Sequence, residues 1–240
     1  MIDSILDCCT VFGFWPKRRA DISLHTLQRL TKDKGISRAF TLSARAIFYD
    51  FLEGNRETLQ ACREDPGLLP VGTVNPARWL GCQDEARYLL DQGVGLFRFF
   101  PQYQEWDITQ APFRKILDTV LGPSGAVLML PAVVGITAIG QLAASYNNPI
   151  LIESFRYDRL AEAIVVMSDR ANVYVETHLI NSPNFVELLK AEGRLDRLVF
   201  GSNSPLSYPG AAIEPIRNAQ VSEDEKRLVF GGNLSRILEI

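Results

Sequence analysis

Histidine is the scarcest informative residue in this 240-residue chain, occurring only as His25 and His178. Most zinc sites and acid/base relays draw on imidazole, so a centre built from several histidines is excluded at the outset. Cysteine is sparse as well. Cys8, Cys9, Cys62 and Cys82 form no C-x-x-C pair, which excludes a disulfide scaffold and points to buried thiols in a reducing compartment. Long apolar runs are missing: the stretch 126–139 contains Pro131 and falls short of the ~20 residues that a membrane span needs. Asp3 interrupts the apolar start, so no signal peptide is read there. Positive charge is not in excess. The 25 Lys+Arg stand against 28 Asp+Glu, a net charge of −3, which gives no broad attraction to nucleic acid or anionic membranes. The expected setting is the cytoplasm, and the expected partner is a small molecule.

What is present is a regular alternation. Short runs at 2–8, 38–42, 69–74, 96–100, 126–130, 150–152, 172–177 and 197–200 are rich in Val, Ile, Leu and Phe on both parities. That is the mark of strands buried on both faces. Between them, 23–34, 55–63, 83–90, 113–120, 159–167 and 184–191 carry helical spacing, as in Leu24, Leu27 and Leu30. Gly35, Gly67, Gly93, Gly122 and Gly193 mark ends, and Ser222 with Glu225 forms an S-x-x-E capping box. Repeated strand–helix units of roughly 30 residues, with no linker tract, predict one α/β domain over 1–240, a (β/α)8 TIM barrel. A doubly wound sheet would call for a glycine-rich phosphate loop after the first strand. Thr10-Val11-Phe12-Gly13-Phe14 is not one.

In a TIM barrel, function gathers at the C-terminal ends of the strands. The candidate catalytic residues there are Asp7, Glu153, His178 and Asn203; Arg45, Asn75, Arg98 and Glu176 are candidate ligand-binding residues. Arg98 is a basic residue inside the apolar run Phe97-Arg98-Phe99-Phe100, so it requires either a protein carboxylate or a ligand anion. Asp7, Glu153, Glu176 and His178 leave two readings open. They form a replacement site for a hard cation or for metal-free acid/base chemistry, or the carboxylates pair with Arg45 or Arg98 across the mouth. Cys8 and Cys9 read as buried small hydrophobes; either would act as a nucleophile only beside His178. His25 falls on the first amphipathic helix, facing solvent. Trp15, Trp79 and Trp106, with Phe12, Phe14 and Tyr103, are expected on strand-to-helix loops one and four. They would serve as a ligand wall, as loop packing or as a homodimer contact.

Three stretches, Leu69-Pro-Val-Gly-Thr-Val-Asn-Pro76, Leu198-Val-Phe-Gly-Ser-Asn-Ser-Pro205 and Phe230-Gly-Gly-Asn-Leu-Ser-Arg-Ile-Leu238, stand in order with Ile2-Asp3 and Asn172-Val-Tyr-Val-Glu-Thr177. Together they resemble the amidohydrolase-related TIM-barrel family of metal-dependent hydrolases and decarboxylases. The resemblance implies a His-x-His pair ending strand one, a His on each of strands five and six, and an Asp ending strand eight. Those groups would bind a metal that activates water. This chain departs at each place. It has Ile5-Leu6-Asp7 for the pair, Val127-Leu-Met-Leu-Pro131 without His, Glu153 on strand six and Asn203 on strand eight. The expectation is therefore an amidohydrolase-like barrel with no metal and no other cofactor. It would hydrolyse an activated ester or lactone, or bind a small anionic or cyclic ligand, carboxylate-bearing as in the resembled family. The alternatives are a metal-dependent hydrolase or decarboxylase with an altered carboxylate-rich site, and a structural or assembly protein.

Overall fold

The computed structural model of this chain describes residues 4–122, 125–180 and 182–240. Eight parallel strands follow one another in sequence order around one sheet. They are β1 (Ile5–Phe12), β2 (Ile36–Ser43), β3 (Leu68–Gly72), β4 (Leu96–Arg98), β5 (Val127–Pro131), β6 (Ile150–Glu153), β7 (Val173–Glu176) and β8 (Leu198–Val199). The sheet nearly closes on itself. The Cys8 amide donates to the Phe200 carbonyl at 3.0 Å, and the Val11 amide donates to the Ser204 carbonyl at 2.9 Å. This is the expected (β/α)8 barrel.

The outer ring comprises α1 (Leu24–Asp33), α2 (Ala44–Phe48), α3 (Phe51–Glu64), α4 (Cys82–Asp91), α5 (Pro101–Gln104), α6 (Ala111–Leu121), α7 (Ile136–Ala143), α8 (Leu160–Asp169) and α9 (Phe185–Ala191). After β8 come α10 (Pro209–Arg217), α11 (Glu223–Arg227) and α12 (Asn233–Leu238). The capping box holds: the Glu225 amide donates to Ser222 Oγ at 3.2 Å, and the Ser222 amide donates to Glu225 Oε2 at 2.7 Å. No helix among the described residues is long and apolar enough to cross a membrane.

Strand alternation sorts the core into two layers. Leu128, Leu130, Ile150, Ile152, Val173 and Val175 face the helices. Leu96, Val127, Met129, Leu151 and Val199 fill the barrel with Phe40, Leu42 and Val71. Each such side chain contributes roughly 1.5–3 kcal/mol by leaving water. Two residues further along the inward parity stand Arg98, Glu153, Glu176 and Gly201. Charged side chains therefore occupy inward positions directly above an apolar plug.

The first strand differs from its sequence reading. It runs from Ile5 to Phe12 rather than over 2–8, and Ile2 and Asp3 lie outside the described residues. Its register against β2 slips between Asp7 and Thr10, where three steps on β1 face two on β2 (Ala39 to Thr41). Such a bulge frees one backbone amide from the ladder. Asp7 consequently sits within β1, not at its end.

Candidate functional site

The freed amide is put to use. The Cys9 N–H donates to Asp7 Oδ1 at 3.0 Å, as does the Ser202 N–H at 3.0 Å, and the Ser202 hydroxyl donates to Asp7 Oδ2. Asp7 is completely buried. Burial pushes its carboxyl up to about 6 despite the opposing pull of the Ser202 and Cys9 donors.

Arg98 and Glu153 meet inside the barrel, 55 residues apart in the chain. Arg98 Nε donates to Glu153 Oε1 at 2.9 Å, and Nη2 lies 2.5 Å from Oε2, a two-point fork. Burial works against the Arg98 cation, and Glu153 with the other acidic groups around it more than offsets this, so its pKa lies above the ordinary guanidinium value. The guanidinium also lies 4.9 Å from the Phe100 ring. Its remaining nitrogen, Nη1, is buried without a hydrogen-bond partner. A buried donor in that state is costly unless a ligand or ordered water satisfies it.

A second ion pair stands beside the first. His178 Nδ1 lies 2.6 Å from Glu176 Oε1, and the His178 amide donates to Oε2 at 2.7 Å. The Ser154 amide adds a donor to Oε1 at 2.7 Å. Burial disfavours both charges, but their mutual attraction prevails. Glu176 lies below the usual carboxylate value and His178 above the usual imidazole value. Gly201 is required here for close approach: a Cβ on it would lie 2.7 Å from Glu176 Oε2 and 3.1 Å from Cys8 Sγ.

Cys9 joins the first pair to the loop after β8, its thiol lying 3.5 Å from Glu153 Oε2 and 3.9 Å from Asn203 Oδ1. Burial holds both the Cys8 and Cys9 thiols well above the ordinary value, so neither is an activated nucleophile. Ser154 (φ 58°) and Asn203 (φ 53°) border the cluster in the left-handed region. Such strain, about 1–3 kcal/mol per residue, concentrates at functional sites.

The structure thus brings Asp7, Arg98, Glu153, Glu176, His178 and Asn203 together at one end of the barrel. It sets Arg45 and Asn75 apart. Arg45 is exposed on α2 and faces Glu53 at 3.7 Å. Asn75 shapes the loop after β3, its Oδ1 accepting the Ala77 amide at 3.0 Å. Glu153 pairs with Arg98, whereas Asp7 pairs with neither arginine and takes its donors from Ser202 and the bulge. Ser202 was not singled out by sequence, because a serine between Gly201 and Asn203 in a loop carries no periodic signal.

The mouth is covered by rings. Trp15 and Tyr103 meet edge to face at 5.4 Å between centroids, and Phe48 packs on both, at 4.7 Å from Trp15 and 5.4 Å from Tyr103. Trp15 follows β1 and Tyr103 follows β4, so this contact spans the barrel mouth. Gln104 Nε2 ties α5 to the Ile47 carbonyl of α2 at 3.1 Å. The other expected aromatics lie elsewhere. Trp106 packs with Phe99 and Phe113 in the outer layer, Phe12 belongs to that layer too, and Trp79 is exposed in the loop after β3.

The amidohydrolase family model matches residues 43–240. The chain belongs to the amidohydrolase family. Solved structures agree on the fold. A 5-carboxyvanillate decarboxylase from Sphingomonas paucimobilis superposes with a TM-score of 0.80 at 14% identity, covering 99% of both chains. A probable 2-pyrone-4,6-dicarboxylic acid hydrolase from Acinetobacter baumannii, with citric acid bound, gives 0.75 at 13%, covering 98% of this chain and 99% of that one. A 5-carboxyvanillate decarboxylase from Novosphingobium aromaticivorans, complexed with manganese and a nitrobenzoic acid, gives 0.77 at 12%, covering 98% and 96%. No curated protein is similar enough in sequence to match. Among the described residues, no group of three or more His, Cys, Asp or Glu side chains is arranged to hold a metal ion.

Proposed function

We propose that this amidohydrolase-family barrel binds a small carboxylate-bearing ligand at its central cluster, with Arg98 rather than a metal as the receiving cation. The observation that carries this reading is the buried Arg98 Nη1, a charged donor with no hydrogen-bond partner among the described residues. A ligand carboxylate would give it a charge-assisted hydrogen bond. Two of the similar barrels named above hold carboxylate-bearing molecules, citric acid in one and a nitrobenzoic acid with manganese in the other.

The donor set does not fit a divalent metal. Both oxygens of Glu153 are taken by Arg98, both of Glu176 by His178 and Ser154, and both of Asp7 by Cys9 and Ser202. A metal on Glu153 or Glu176 would compete with a guanidinium or an imidazolium for a buried carboxylate, and one on Asp7 would compete with the Ser202 and Cys9 donors.

Thermal-shift and calorimetric titrations with citrate, benzoate and 2-pyrone-4,6-dicarboxylate test the reading. At least one is expected to bind and to weaken about tenfold or more in Arg98→Lys, which keeps the charge but loses the fork. Binding by none, or unchanged binding in that variant, would sink it. So would near-stoichiometric Zn²⁺ or Mn²⁺ in the purified protein that is lost in Glu153→Ala.

A second reading, metal-free hydrolysis of an activated ester or lactone, is favoured by Asp7 alone. A carboxyl near 6 is half ionised close to neutrality, which suits a general base. It would take a proton from water as the water oxygen bonds to the carbonyl carbon. The carbon–oxygen bond to the leaving alcohol then breaks, and the proton passes to that alcohol. Turnover of aryl esters or lactones with an inflection near pH 6, abolished in Asp7→Asn, is the expected sign; silence across both substrate classes removes this reading.

A further inference from the structure

A cavity of about 520 Å³ opens outside the aromatic cover, lined by Gly13, Phe14, Ser43, Arg45, Tyr49 and Glu57. Its size suits a small organic molecule. Two of its walls are aromatic side chains left largely in water, Phe14 at 66% exposure and Tyr49 at 50%. Their chain neighbours Trp15 and Phe48 are packed ring on ring in the cover. Exposed apolar area of this kind, gathered on one concavity, is a mark of a binding surface.

The polar groups are equally specific. Arg45 is about half exposed, and its one ion-pair contact among the described residues, Glu53 at 3.7 Å, is too long for a hydrogen bond. Opposite, Glu57 Oε2 accepts the Ser43 hydroxyl at 2.7 Å, and Ser43 Oγ accepts the Arg45 amide at 3.2 Å. That chain fixes the carboxylate in place. Gly13 (φ +110°) leaves the neighbouring wall bare, because a side chain there would be strained. The cavity therefore presents a cation with forked donors, a fixed acceptor and two aromatic faces.

We infer that this rim cavity is a second ligand site, separate from the central cluster, for a planar aromatic carboxylate that also carries a hydroxyl. Its carboxylate would take the Arg45 fork, its ring would lie against Phe14 and Tyr49, and its hydroxyl would donate to Glu57.

The test uses 4-hydroxybenzoate as probe, followed by calorimetry and ligand-observed NMR on the full chain. Phenol, which lacks the carboxylate, and cyclohexanecarboxylate, which lacks the aromatic face, are the comparison probes. The expected result is binding of 4-hydroxybenzoate, about tenfold weaker binding of each comparison probe, and about tenfold weakening in both Arg45→Met and Phe14→Ala. Both side chains are more than half exposed, so these variants are expected to fold, with melting curves as the check. The Arg45-dependent binding step is expected to persist in Arg98→Lys, whatever that variant does to binding in the central cluster. No binding of 4-hydroxybenzoate, or binding indifferent to Arg45→Met and Phe14→Ala, overturns the rim site. Binding lost in Arg98→Lys but kept in Arg45→Met places the ligand in the central cluster and also overturns it. Conversely, binding that depends on Arg45 stands even if every carboxylate proves indifferent to Arg98.

Discussion

Replacing Arg98 by Met removes the cation while keeping most of the side-chain volume, and it strands Glu153 as a carboxylate only 1% exposed. Breaking a buried pair in this way costs about 3–5 kcal/mol. At roughly 2–4 °C per kcal/mol for a chain of this size, the melting temperature should fall by about 6–20 °C at pH 8. The sign of the pH dependence follows from linkage. An unpaired buried carboxylate has its folded-state pKa raised above the unfolded value of about 4.3. The folded variant then holds a proton that the unfolded chain releases, so its stability falls as pH rises from about 4 through that raised pKa. Subtracting wild-type melts at each pH removes the background titration of other groups. The deficit should be largest at pH 8 and smallest near pH 4.5. Arg98→Met with Glu153→Leu deletes both charges and should recover most of the loss, since apolar side chains of similar size replace buried ion pairs well. Paired circular-dichroism melts measure all three proteins. A shift under about 3 °C, a deficit indifferent to pH, or a double variant as unstable as the single one would refute a buried, mutually dependent pair.

Asp7→Asn keeps an acceptor for the Cys9 and Ser202 amides but cannot ionise. Since the Asp7 carboxyl is pushed from 3.8 up to about 6, wild-type stability should decline by about 2 kcal/mol between pH 4 and pH 6.5 from this group, and melts of the variant should lack that decline. Tyr103→Ala should open the ring cover and speed alkylation of Cys9 by a neutral maleimide in a Cys62→Ser background; an unchanged rate by mass spectrometry would show that the cover does not control access. A carboxylate bound in the central cluster should raise the Asp7 pKa further, so binding should take up a proton and weaken as pH rises above about 6. Calorimetry in two buffers of different ionisation enthalpy reads that uptake, and equal heats in both would contradict it.

The barrel was legible because parallel strands buried on both faces leave unbroken apolar runs, and those runs do not depend on register. The site was legible only along each strand. Leu96 and Arg98 share a parity, as do Leu151 and Glu153, so both charges could be read as one step above the plug. Their meeting depends on register between strands 55 residues apart, which no local pattern encodes. Asp7 was misplaced because the bulge after it is invisible in a run of buried residues, and β1 continues past Cys9 to Phe12. Helix α7 went unread because Ile136–Ala143 is short and apolar on nearly every face, leaving little contrast to mark a period. Phe48 lies in a five-residue helix that is likewise too short for periodicity to register.

The charge arithmetic of the cluster gives the scarcity of histidine its meaning. Arg98 and His178 supply two positive charges, Glu153 and Glu176 supply two negative ones, and Asp7 stands between neutral and anionic near pH 6. The cluster is therefore close to balanced by its own side chains. A divalent cation would add two positive charges to a set whose carboxylate oxygens already have donors, and would free a cation in a buried space. An anion meets the opposite situation. Arg98 Nη1 is unsatisfied, and Asp7 can take up a proton to offset the added charge. On the proposed reading, the arrangement that disfavours a metal is the one that would receive a carboxylate. Under that proposal, placing Glu153 and Asn203 where the family resemblance calls for a histidine and an aspartate would change the sign of the partner, provided Arg98 remains inside the barrel to complete the exchange.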